Sequence, residues 1–399
     1  MQGIDEINTE EGLWRLEEYY SFHHRFSPAC QNHLIQHQDF QRYITTHSRT
    51  GRFDTPIAFL NGRYDGWRCF NHGGVWGVSS MPFGEPERAW DILTFFYPKS
   101  VLNSIYRHDC PDEPMGYYSG TPWGNVDIIP IEAEDYSRYR LLIAPGYNMA
   151  MAEDLDKLAR YVQGGGALII GWPQLSVTTL RSDVVSGAHD YLCHPFTPEV
   201  SSFAEDAFEG LPLHVGETAP EGEVFLRTDS GRPLVILRRM GEGVIWFVNA
   251  REYAGCPAVD AVYRRILEKA VPECAAQDAI RAEGDSNVQF AVYSHENGMK
   301  NFYFIATDWH KPCADGEGRL LIGEQVYTIP VPFGSLVKAA ACGDCAVYPE
   351  KDENEVISFD GTTARVQGVG KAVFIVLKNG SEHAVPVDFT ESGVQEIRI

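Results

Sequence analysis

The chain lacks any run of 18 consecutive apolar residues, so no segment has the length of a membrane-spanning helix. It is also short of basic charge. Lys and Arg number 33 against 55 Asp and Glu, for a formal charge of −22. Phosphate backbones and anionic lipid surfaces repel such a chain, which argues against nucleic acid and membrane as partners. The opening stretch "MQGIDEINTEEG" is acidic and has no apolar centre, so it does not read as a signal peptide. Nine cysteines, an odd number scattered along the length, do not form a disulfide framework. A reduced, cytoplasmic setting is the expectation. Internal repeats and low-complexity tracts are missing too.

What remains is ordinary globular composition, 44% apolar and 22% charged over 399 residues, enough for two or three domains. Residues 1–51 read as helical. Asn8 and Glu11 have capping-box spacing before "GLWRLEEYYSFHHRF", and a second helix carries Leu34, Ile35, Phe40, Tyr43 and Ile44 as an apolar stripe. From 52 to 275 apolar strands alternate with helices: "PIAFL", "ERAWDILTFFYP" with Trp90, Leu93 and Phe96 inward, "VDIIPIEA", "LLIAP", "ALII", a hairpin about Gly241 to Gly243, and a closing helix near Pro272. This alternation predicts an α/β domain with a mainly parallel sheet. From 276 to 399 short strands separated by turn residues predict an antiparallel β-sandwich.

The triplet Gly164, Gly165 and Gly166 poses the sharpest local question. A phosphate-binding loop needs its glycines between strand and helix, at the helix N-terminus. Here Leu155, Leu158, Ala159 and Val162 mark one helical face, and the glycines come after it. Glu153, Asp154 and Asp156 crowd the N-terminus and would repel an anion. The triplet therefore predicts a helix stop and no nucleotide site.

The stretch from Ile129 to Ile170 contains D-Y-x-x-Y-x-L-L-I-A-P, carried by Asp135, Tyr136, Tyr139 and Leu141 to Pro145, then a helix, the glycines and an apolar strand. This pattern resembles the glutamine-amidotransferase-like domain behind the catalytic barrel of certain glycoside hydrolases. In β-galactosidases of the thermostable bacterial type it is called the trimerisation domain. The resemblance implies a flavodoxin- or amidotransferase-like parallel sheet followed by a β-sandwich, and an N-terminal segment corresponding to the last barrel helices or a docking arm. It also places the catalytic carboxylates on a barrel of ~250 residues that does not fit ahead of residue 50. No catalytic residue carries over.

Candidate chemistry elsewhere is sparse. The turn after "ALII" reads Gly171-Trp172-Pro173-Gln174, with no Cys or Ser where an amidotransferase nucleophile would stand. His23, His24, His33 and His37 lack a metal-site motif, and "CGDC", Cys342 to Cys345, lacks a second ligand pair. The available carboxylates single out no acid/base pair. The loop "NGRYDGWRCFNHGGVWG" is richer. Arg63, Asp65, Trp67 and Trp76, with Trp123 further on, supply guanidinium, carboxylate and aromatic faces suited to a sugar. Their structural alternative is the sealing of a seam against a barrel.

Taken together, the expectation is an accessory, non-barrel portion or subunit of a glycoside-hydrolase-like system, serving assembly and cleft support. Its partners would be a barrel subunit or upstream segment and further copies in a homo- or hetero-oligomer, with a carbohydrate as ligand and no metal or cofactor. The alternatives are a free-standing carbohydrate-binding protein and a hydrolase with its own site in the α/β cleft.

Overall fold

The computed structural model describes residues 35, 38, 41–42, 51–63, 88–96, 121–146, 151–176, 193–198, 202–285, 287–306, 314–351, 353–389 and 393–399. Among them the chain is mostly sheet with few helices, and several of its sheets are antiparallel. It divides into two compact units. One comprises Met1–Asp54, Tyr293–Phe302 and Lys338–Ile399, the other Thr55–Val292 and Tyr303–Val337.

The larger unit is built on a seven-stranded sheet. Its strands are β1 (Ile57–Asn61), β2 (Val126–Pro130), β3 (Leu141–Ile143), β4 (Ala167–Gly171), β7 (Glu223–Arg227), β8 (Pro233–Met240) and β9 (Gly243–Val248), while β5 (Phe203–Phe208) and β6 (Leu211–Gly216) form a separate hairpin. Across the sheet the order is β2-β1-β3-β4-β9-β8-β7. The strands from β2 to β9 in that order run parallel, and β8 and β7 add an antiparallel margin. The expected hairpin closes where Met240 pairs with Gly243.

Both faces of the sheet are covered, which is why its central strands read as continuous apolar runs. Side chains alternate between two cores. Ile57, Phe59, Leu141, Ile143, Ile169 and Trp246 face the helix α3 (Pro257–Ala275) and a 3-10 helix, Ala89–Phe95. Trp90, Leu93 and Phe96 are buried there, as their spacing predicts. Ala58, Leu60, Leu142, Leu168, Ile170 and Phe247 face the other way, onto α1 (Ala152–Gln163). Leu155, Leu158, Ala159 and Val162 of α1 are each at most 5% exposed, and burying each of the larger ones contributes about 1.5–3 kcal/mol. Helix α3 continues through Pro272 to Ala275, because a proline in the last turn removes one donor without stopping it. A three-stranded sheet of Ile280–Gly284, Gly316–Ile322 and Gln325–Val331 also belongs to this unit.

In the smaller unit the strands Leu336–Cys342, Cys345–Pro349, Gly370–Lys378 and Ser381–Phe389 follow one another antiparallel. A second sheet joins Glu355–Phe359, Thr363–Gln367 and Val394–Arg398. Phe359, Val366, Phe374, Phe389 and Ile397 from the two sheets share one core, the arrangement of a small β-sandwich. Of the expected N-terminal stripe, Ile35 is helical and 53% exposed, so it is no core residue in this chain; Leu34, Phe40, Tyr43 and Ile44 lie outside the described residues.

Candidate functional site

In a parallel sheet, ligands gather beyond the C-terminal ends of the strands, so that edge comes first. Arg63 follows β1 there and is held on all sides by carboxylates. Its Nε and NH2 donate to the two oxygens of Asp154 at 2.9 and 3.0 Å. Glu132 and Glu153 stand at 3.4 and 3.5 Å. Asp154, at the third position of α1, is fully buried, accepts from the Met151 N–H at 3.3 Å and has Lys157 at 3.5 Å. The bond to Asp154 raises the Arg63 pKa above its ordinary value. The acidic helix start thus does more than complement the dipole: one of its carboxylates ties α1 to the end of β1.

The next turn along this edge, between β4 and the short helix α2 (Trp172–Leu175), holds an amide and an indole where a nucleophile would sit. The Gly171 N–H donates to Gln174 Oε1 at 2.9 Å, and Gln174 Nε2 reaches the carbonyls of Pro145 and Gly146 at 3.1 and 3.2 Å. Trp172 Nε1 donates to Asn249 Oδ1 at 2.7 Å, while Asn249 Nδ2 donates to the carbonyls of Gly216 and Pro233. These side chains are buried and saturated by protein partners. Sequence reasoning missed a further pair nearby. His214 Nδ1 lies 2.5 Å from Glu252 Oε1, and the His214 backbone N–H donates to Glu252 Oε2 at 3.0 Å. Arg251, a pure donor 3.5 Å from the same carboxylate, balances its charge. No motif marks the pair; 38 residues separate them, and an antiparallel bridge between Val215 of β6 and Ala250 after β9 brings them together.

The opposite edge, at the N-terminal ends of β3 and β4, is open. A cleft of about 440 Å³ lies between the loop Glu134–Arg140 and the C-terminal half of α1. Glu134, Asp135, Arg160, Tyr161 and the three glycines form its rim and wall. Asp135 accepts from the N–H and hydroxyl of Ser137 at 2.8 and 2.7 Å, and those bonds, the backbone one foremost, lower its pKa. Tyr136 is buried and donates its hydroxyl to the Ile131 carbonyl. Tyr139 donates to Asp127, which Arg138 also pairs, and burial followed by that hydrogen bond pushes the phenol up to about 12. The motif tyrosines therefore brace the loop with their polar ends turned inward.

The glycines have distinct reasons. Gly165 has φ +108°, which side-chain-bearing residues rarely adopt, and an added Cβ there meets nothing within 4 Å. At Gly166 a Cβ would stand 2.2 Å from Tyr161 Cζ, so the ring itself demands a glycine. The triplet follows the helix, as its place in the sequence predicts.

Of the sugar-contact candidates, Arg63 is in the ion-pair cluster described, and Trp123 stacks on Phe95 with ring centroids 6.1 Å apart and an 11° interplanar angle. Asp65, Trp67 and Trp76 lie outside the described residues, as do His23, His24, His33 and His37. Among the described residues no group of three or more His, Cys, Asp or Glu is placed to hold a metal ion, and no helix is long and apolar enough to cross a membrane. Cys342 and Cys345 face each other across the hairpin end, with Cys345 Sγ 3.1 Å from the Gly361 carbonyl. Burial, then Asp344, pushes the Cys345 thiol up to about 11, the opposite of what a reactive thiolate needs.

Residues 117–184 match the family model of the β-galactosidase trimerisation domain, and every residue lining the cleft falls within that stretch. The chain is similar to a non-catalytic part of β-galactosidase-like proteins. Among solved structures, the β-galactosidase of Bacillus circulans sp. alkalophilus aligns at 15% identity and TM-score 0.41, covering 73% of this chain and 42% of that one. A catalytic mutant of Gan42B, a GH42 β-galactosidase of G. stearothermophilus, aligns at 14% and 0.39, covering 79% and 45%. The β-galactosidase of the Antarctic haloarchaeon Halorubrum lacusprofundi aligns at 18% and 0.35, covering 63% and 36%. The chain thus spans less than half the length of these structures. No curated protein sequence matches it significantly.

Proposed function

We propose that this chain is the accessory, non-barrel part of a glycoside-hydrolase-like system, acting in assembly and in support of a sugar cleft contributed by a catalytic barrel. The observation that carries the reading is the trimerisation-domain match over 117–184, on the segment that supplies β2, β3, α1 and β4 of the parallel sheet. The strand order β2-β1-β3-β4-β9 supports a flavodoxin- or amidotransferase-like assignment, since it has the 2-1-3-4-5 form. Association with a barrel subunit or upstream segment, an oligomeric state and a cytoplasmic setting belong to the same proposal. So does the division into a helical segment 1–51, an α/β domain 52–275 and a sandwich 276–399.

The purified chain should leave nitrophenyl glycosides intact alone and should bind a β-galactosidase-type barrel protein lacking this domain, measured by turnover and co-sedimentation. Robust turnover by the chain alone would defeat the proposal. A second reading is glycan binding by Arg63, Asp65, Trp67, Trp76 and Trp123. It draws support from the place of the first four after β1, on the edge where α/β ligands collect, whereas Trp123 precedes the parallel strand β2 and so stands at the other end of the strands. Loss of glycan-array signal in Trp67→Ala is the expected mark of that site.

A further inference from the structure

We propose that the cleft between the Glu134–Arg140 loop and the C-terminal half of α1 binds a neutral sugar. The inference rests on the carbohydrate-active reading above for its ligand's source, but the cleft's own chemistry selects the ligand class. Its volume of about 440 Å³ is that of a small-molecule site.

The charges that line it are largely committed. Arg140 is bidentate to Asp278 at 2.7 and 2.9 Å. Lys157 donates to the carbonyls of Ile131 and Ala133 at 3.1 and 3.2 Å. What is left is Arg160 on the helix wall and Glu134 on the loop wall, neither with a partner among the described residues, and the spare lone pairs of Asp135. An anion would meet two carboxylates and the negative end of α1. A cation would meet Arg160 and the charge of Lys157, which its carbonyl partners leave in place, and an apolar ligand would strand these charges away from water. A neutral polyol satisfies both walls, because each hydroxyl donates to carboxylate and accepts from guanidinium. Gly165, with open space where a side chain would stand, lets such a ligand approach bare backbone.

The test is calorimetric and NMR titration of the full chain with glucose, galactose and lactose. Saturable binding in about the millimolar range is expected for a ligand of this size. Arg160→Ala and Glu134→Ala, both exposed and spared by the core, should each weaken it by roughly ten-fold, the scale of one charged hydrogen bond. Lys371→Ala, exposed and outside the cleft lining, should leave it unchanged. Glucuronate and glucosamine should bind no tighter than their neutral parents. Absence of saturation with every sugar, indifference to both cleft variants, equal weakening in Lys371→Ala, or roughly ten-fold preference for a charged sugar would each overturn the assignment. Turnover and barrel association, which test the accessory role, are not read by these titrations, so the two proposals fail separately.

Discussion

The two ends of the same parallel strands are built to opposite specifications. At the C-terminal end Arg63, Asp154, Gln174, Trp172 and Asn249 spend their polar groups on one another and on the backbone. At the N-terminal end the loop turns its tyrosine hydroxyls inward and leaves a cleft rimmed by uncommitted charge. Among the described residues, the usual ligand edge of an α/β sheet carries a fastening and the usual structural edge carries the cleft. A saturated polar cluster resists a ligand because each group it offers must first break an existing bond.

If that contrast is right, substitutions at the fastened edge should cost far more stability than those at the open edge. Asn249→Ala strands a buried indole N–H and two carbonyls, and should lower unfolding free energy by about 4 kcal/mol in urea titration. Asp154→Ala leaves the Arg63 charge half-buried without its bidentate partner and should cost about 3 kcal/mol by the same measurement. At the open edge, Gly166→Ala drives a methyl into Tyr161 and should cost about 2 kcal/mol. Gly165→Ala, which meets only backbone strain, should cost about 1 kcal/mol, so equal losses at the two glycines would contradict the distinct roles assigned to them.

The smallest effect is a pH dependence at Asp135. Its folded pKa lies below the ordinary 3.8, so its stabilising contribution is present above that value and fades as pH falls through the folded one. The melting-temperature difference between the wild-type chain and Asp135→Asn should therefore be constant above about pH 5 and shrink below about pH 3. A difference that grew on acidification would mean that the Ser137 bonds do not favour the carboxylate.

Much of the α/β unit was legible in advance because its signals are local. The i, i+3, i+4, i+7 spacing of Leu155, Leu158, Ala159 and Val162 can bury only one helical face, and the apolar runs of β1, β3 and β4 suit strands covered on both sides. The placing of Gly164 to Gly166 after the helix settled their part in stopping it. Neither the cleft nor the fastening was legible. Arg63 and Asp154 are 91 residues apart, and Trp172 and Asn249 are 77 apart. Nothing in the local pattern distinguishes an arginine that will be tied to a buried carboxylate from one that will face a ligand.

Sequence alone determined the central strands of the parallel sheet and the buried face of α1, and that the chain resembles the non-barrel part of a glycoside hydrolase, since periodicity, turn residues and the D-Y-x-x-Y stretch are properties of neighbouring positions. Tertiary structure alone decided which polar groups are spent and which are left over. That outcome depends on which distant side chains meet, and a hydrogen bond made to one partner is no longer on offer to another.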